Sequence, residues 1–195
     1  PMSNPSNHDF VLSAAVSVEA TPSPGAPASE PSVDMAFAGA LTFSYDGVLF
    51  VGDNHNGAIY AFETPGEEPP GQTFPRSIRN IDAKIAELLG VRSGAVEIND
   101  MAVHPMSNEI YISITRIQSF ASQPAIVKIS TDQSISLLDT SSMAFQKQLL
   151  TEFPQGDTTF QARGSGPGPM LPRDLAKGAI AIRSLAIMDL EYHEG

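Results

Sequence analysis

A chain of 195 residues with 42% hydrophobic residues holds enough apolar material for one ordinary core. Its 22 acidic residues against 11 basic ones leave a formal net charge of −11, which opposes binding to nucleic acid or to an anionic membrane surface. There is no cysteine, so disulfides and thiolate chemistry are excluded, and no apolar run reaches the roughly 18 residues that cross a bilayer as a helix.

Residues 1–33 read as a leader and linker. Residues 10–18 form a short apolar run that ends near Glu19-Ala20, small enough for a signal peptidase, but no Lys or Arg precedes it. A signal-peptide remnant and an extended segment packed on the fold are both open readings. Residues 21–32, TPSPGAPASEPS, cannot build a core and read as a flexible or polyproline-like linker. Such a linker after an apolar leader is common in exported proteins, so a periplasmic or extracellular location is expected.

Residues 37–64 form a first repeat. Leu41, Phe43 and Tyr45 alternate with Thr42 and Ser44, and Asp46-Gly47 supplies the positive φ of a tight hairpin. A second strand follows over 48–51. Asp53-Asn54-His55-Asn56-Gly57 makes the next turn, and a third strand runs over 58–62. Residues 64–74 are loop by composition. The period then changes: Ile81, Ile85, Leu88 and Leu89 share one helical face, Asp82 suits the N-terminus, and Gly90 can end the helix. This inserted helix, 81–90, is expected to pack its Ile81, Ile85 and Leu88 side on the sheet, over an edge or rim.

Residues 96–138 read as a complete four-stranded repeat. Its first hairpin turns at Pro105-Met106-Ser107-Asn108. Ile110, Ile112 and Ile114 then share a face, with Tyr111 and Ser113 on the other. Strands over 124–129 and 134–138 complete it. Residues 139–178 read as a connector: 145–153 carry apolar residues without a clean period, and GSGPGP at 164–169 must be loop. Residues 179–195 read as the start of a third repeat. Asp189, Leu190, Tyr192 and His193 stand in the order of Asp100, Met101, Val103 and His104.

The phrases GVLFVGDNHNGAIYAFET, INDMAVHPMSNEIYISITR and PAIVKIS resemble the six-bladed β-propeller superfamily that includes gluconolactonase/regucalcin-like, NHL-repeat and TolB-like proteins. The resemblance covers roughly residues 40–138, plus a stub at 188–195. The expected fold is therefore all-β. It has two nearly complete four-stranded antiparallel blades and the start of a third, with one short inserted helix. The resemblance implies a ring of about six blades, so the chain reads as the N-terminal part of a larger propeller. The missing blades would come from the same chain or a partner chain. A small-molecule or protein ligand would sit at the propeller mouth.

No phosphate loop, HExxH, GxSxG or CxxC occurs, and nothing in the sequence points to a catalytic residue. The candidates are metal ligands. Asp53, with Asn54 and His55, offers oxygen and imidazole groups in a blade turn, although Asp and Asn are also ordinary turn residues that bond their own backbone. In lactonase-like propellers, Asn, Asp and Glu at inner-strand ends converge on calcium or zinc. The resemblance would give Asn99 or Asp100 such a place. The first repeat has Gly39-Ala40 there, which breaks the ring. The plainer reading is an aspartate that bonds backbone amides at the start of a strand, because residues recurring in phase serve the repeat. His104 and His193 recur in phase as well, and a hydrogen bond within the turn is the favoured role. The function expected is a non-catalytic binding or scaffold protein. The alternatives are a calcium- or zinc-dependent lactonase-like hydrolase and a piece that completes a propeller with another chain.

Overall fold

Local turn chemistry builds the first sheet. Ser44 closes the first hairpin: its carbonyl accepts the N–H of Gly47 at 3.1 Å and its hydroxyl oxygen that of Val48 at 2.9 Å, with Gly47 at φ 88°. The computed structural model describes residues 33–64, 77–118, 121–154, 159–161 and 179–193. The leader and linker expected over 1–33 lie outside these residues apart from Val33, as do the loop after Thr64 and most of the connector beyond Pro154.

Strands β1 (Leu41–Phe43), β2 (Val48–Asp53) and β3 (Ala58–Glu63) pair antiparallel in sequence order. The second sheet is an antiparallel meander of β4 (Val96–Val103), β5 (Ile110–Gln118), β6 (Ala121–Ile129) and β7 (Ile135–Leu137). The all-β class is observed, with two four-stranded antiparallel sheets and one α-helix among the described residues.

The fourth strand of the first sheet comes from the stretch expected to be a connector. Strand β8 (Phe145–Leu149) pairs antiparallel with β3, from Ala58 opposite Leu149 to Phe62 opposite Phe145. Its sequence FQKQL has one inward aromatic, Phe145, and an exposed Leu149, so its period is too faint to read. Asp34 helps to hold it: its carboxylate accepts from Lys147 Nζ and from the Tyr60 hydroxyl at 2.7 Å. Those two bonds, Lys147 first, hold the Asp34 carboxyl below its ordinary range.

The sheets stack face to face. Leu49 and Val51 of β2, with Tyr60 and Phe62 of β3, meet Tyr111 of β5 and Ile126 of β6 in one core. Alternation places Ile112, Ile114, Val127 and Ile129 on the far face of the second sheet, where helix α1 (Ile81–Leu88) covers them. Both faces of β5 are therefore buried. The helix packs its Ile81 and Ile85 side on the sheet as expected, over a face and not an edge or rim. Ile85 is its fully buried anchor, with Ile81 and Leu89 beside it, whereas Leu88 is 40% exposed. The helix ends at Gly90, φ 63°: Gly90 N–H donates to Glu87 and Val91 N–H to Ala86, the paired bonds of a Schellman cap.

The other face of the first sheet carries the C-terminal segment. Strands β9 (Thr159–Gln161) and β10 (Ala179–Ala181) pair with each other, and a 3₁₀ turn over Ile182–Leu185 follows. Residues 186–193, expected to open a third repeat, run without ladder hydrogen bonds. Tyr192 stacks on Phe50 of β2, ring centroids 5.9 Å apart, and meets Tyr45 edge-on at 5.8 Å. Gly52 admits Ile187 so closely that a Cβ there would stand 2.8 Å from its Cγ2. The segment thus packs on the first sheet, whereas a continuing series of repeats would place it against the second.

Candidate functional site

A bulge in β4 aims the site's central pair. Ile98 is opposite Ile114 and Asp100 is opposite Ser113, so Asn99 is the extra residue. A bulge breaks the strict alternation of side chains, and both Asn99 and Asp100 reach the first sheet. Asn99 Nδ2 donates to the carbonyl of Ala38 at 2.7 Å and to Thr115 Oγ1 at 3.0 Å. Asp100 Oδ2 accepts the N–H of Leu41 at 2.8 Å, and its Oδ1 accepts that of Met101 at 2.8 Å. Ser113 Oγ donates to the carbonyl of Gly39 at 2.6 Å. Three side chains of the second sheet thus hold the backbone of residues 38–41, which β2 holds from the other side through Gly39 N–H to Gly52 and Gly52 N–H to Ala40.

Asp53 is fully buried at the end of β2. Its Oδ1 accepts the N–H groups of His55 at 2.9 Å and Asn56 at 3.1 Å, and its Oδ2 accepts Ala36 N–H at 2.8 Å and Asn56 Nδ2 at 2.9 Å. Four donors converge on one carboxylate, which locks the β2–β3 turn and fastens the entering chain to it. Asn54 does the same for the C-terminal segment. Its Oδ1 accepts Ile187 N–H at 2.9 Å, and its Nδ2 donates to the carbonyls of Ile187 at 3.0 Å and Ser184 at 3.4 Å. The amide pairs with the backbone of Ile187 as a neighbouring strand would.

These ties leave an open cleft of about 460 Å³ between the first sheet, β4 and the C-terminal segment. Phe37, Ile98, Leu185, Ile187 and Met188 are the large apolar residues of its wall. Three carboxylate residues, Glu97, Asp100 and Asp189, line it together with Asn54, His55 and Asn99, and neither lysine nor arginine is among the described lining residues. The His55 ring lies 5.1 Å from that of Phe37. The arrangement favours a group that carries positive charge beside an apolar body.

Of the sequence candidates, Asn99 and Asp100 reach this cleft, and Asp53 stands behind it under the turn that presents His55. Among the described residues no three His, Asp or Glu side chains come together in a group that could hold one metal ion. Asp189 repeats the local habit of Asp100: its Oδ1 accepts the N–H of the next residue, Leu190, at 2.9 Å. The two histidines in phase diverge. His104 is buried and bonds its turn, whereas His193 is exposed, 3.3 Å from Glu191. The sequence reading did not anticipate Glu97, Phe37 or the clamp by Asn54. Asn54 looks like any turn residue until the segment 130 residues later is placed beside it. Comparison with protein-family models, with curated proteins and with solved structures finds no match to the chain.

Proposed function

We propose that this chain is a non-catalytic binding module built from propeller-type blades, with the cleft between the first sheet, β4 and the C-terminal segment as its ligand seat. One observation carries the reading: segments far apart in sequence, at 54–55, 97–100 and 184–189, converge on one open cleft with apolar walls and carboxylates. The face-to-face stacking of two four-stranded sheets supports the blade assignment. The ligand class is a small molecule or peptide group with a cationic head on an apolar stem. The apolar run and Pro-rich stretch of residues 10–32 support a location outside the cytoplasm.

A probe pair tests the seat. Benzylamine added to the isotopically labelled chain should shift the backbone amides of 97–100 and 185–189, and benzyl alcohol should shift them far less. Equal effects of the two, or shifts confined to other residues, would overturn the reading.

The metal-dependent hydrolase is the second reading: Glu97, Asp100 and Asp189 line one cleft, but they do not come together in a group that could hold one ion. Against it stands the engagement of Asp53, Asn99 and Asp100 with backbone groups. The reading in which further blades or another chain complete the fold has its own support. Ile98, Met101 and Val103, 42%, 57% and 52% exposed, form an apolar strip on β4 that such a neighbour would cover.

A further inference from the structure

His104 stands at the end of β4, where the turn to β5 begins. Its Nδ1 accepts the backbone N–H of Met106 at 3.2 Å and that of Ser107 at 3.1 Å. An imidazole that accepts at Nδ1 carries its proton on Nε2. That nitrogen is buried and has no hydrogen-bond partner among the described residues. It faces Gly47 of the first sheet so closely that a Cβ there would stand 2.7 Å away. The ring meets Phe43 of β1 edge-on, centroids 5.0 Å apart, and lies 6.3 Å from the ring of Tyr111 in β5. The imidazole is therefore wedged into the seam between the two sheets while it holds the turn of one of them.

We propose that His104 is an acid-sensitive latch between the sheets: neutral, it holds the β4–β5 turn and fills the seam; doubly protonated, it can do neither. The second proton must bind Nδ1, where the two N–H donors already converge. An imidazolium has no acceptor, so Met106 and Ser107 lose their partner and a charge is left against Phe43 and Gly47.

The surrounding charges do not rescue it. Glu109 and Lys128 of the second sheet are paired with each other at 3.0 Å, and the Tyr111 hydroxyl is engaged by Glu109 and pushed up to about 12, mainly by burial. On the first sheet, the Asp46 carboxylate takes the Ser44 hydroxyl. Burial is the largest influence on His104 and opposes its charge. Glu109 favours the charge, Lys128 opposes it, and the imidazole is held below its ordinary value of 6.5. The unfolded chain therefore binds this proton more readily than the folded one. The stability contributed by neutral His104 is fully present above 6.5 and is lost as pH falls through the lower folded value. Over that window the folded-to-unfolded ratio falls by up to about tenfold per pH unit. The same seam carries the Asp100–Leu41 and Asn99–Ala38 bonds, so its release loosens residues 38–41 as well.

The test uses the full chain. Imidazole ¹⁵N NMR should find His104 with its proton on Nε2 at neutral pH, and protonating below 6.5 in the folded state. Urea unfolding from pH 7 to pH 5 should then cost the parent chain up to about tenfold per pH unit more than His104→Asn, which keeps an acceptor for Met106 and Ser107 but does not titrate. If His104→Asn does not fold, the NMR titration decides alone. A proton on Nδ1, protonation at or above 6.5 in the folded state, or the same pH dependence in both proteins would overturn the latch.

Discussion

The carboxylate of Asp100 in β4 accepts the backbone N–H of Leu41 in β1 at 2.8 Å, so a side chain of one sheet closes the hydrogen bonding of the other. Asn99, displaced by the bulge, does the complementary work at the carbonyl of Ala38, 2.7 Å away. Edge backbone that would otherwise seek water or another strand is satisfied by the neighbouring sheet.

Asp100→Ala should therefore destabilise the fold by about 2 kcal/mol, the usual value of a charge-assisted hydrogen bond whose donor is left unpaired. Asp100→Asn should recover part of this, because one amide oxygen can still accept from Leu41. Urea unfolding of the three proteins measures it. Equal stability of all three would mean that the tie contributes nothing.

The helix offers a sharper contrast. Ile85→Ala removes a fully buried side chain facing Ile112, Ile114 and Val127, and should cost about 2–5 kcal/mol. Leu88→Ala, at a 40% exposed position, should change stability by no more than about 0.5 kcal/mol. Thermal unfolding of the pair gives the ranking, and a reversed order would mean that the helix is rotated on the sheet.

The legible parts of the chain are those whose physics is local. Asp46-Gly47 and Asn56-Gly57 mark hairpins through turn residues that accept positive φ, and Gly90 marks the helix end for the same reason. The alternation around Ile112 and Tyr111 gave the two faces of β5. The helical face was read too widely, since a 3.6-residue period cannot say which edge of an apolar stripe meets the sheet, and Leu88 lies at that edge. Two features were not legible at all. The bulge at Asn99 exists only in the register between β4 and β5. The pairing of β8 with β3 joins Phe145 to Phe62 across a long stretch of sequence, and neither strand encodes its partner. The repeated phrase at 188–193 was legible as a phrase. Its surroundings differ, because Asn54 and Gly52 hold that segment to the first sheet without a ladder.

The pairing of β3 with β8 can be tested covalently, because the chain has no cysteine to confuse the result. Ala58 and Leu149 are register partners, so a double Ala58→Cys, Leu149→Cys variant should close a disulfide on oxidation. Leu149→Cys paired instead with Glu63→Cys, at the far end of β3, should not. Oxidation of both pairs, or of neither, would contradict the observed register.

Metal binding is the most direct test of whether Asn99 and Asp100 serve as ties between sheets or as ligands. Calcium and zinc should each be titrated calorimetrically, at up to millimolar concentration, into the parent chain and into Asp100→Asn. With both side chains committed to the backbone of residues 38–41, neither protein should give a saturable heat, and they should differ in unfolding midpoint alone. A saturable, stoichiometric heat in the parent chain that disappears in Asp100→Asn would contradict this role and make the cleft a metal centre.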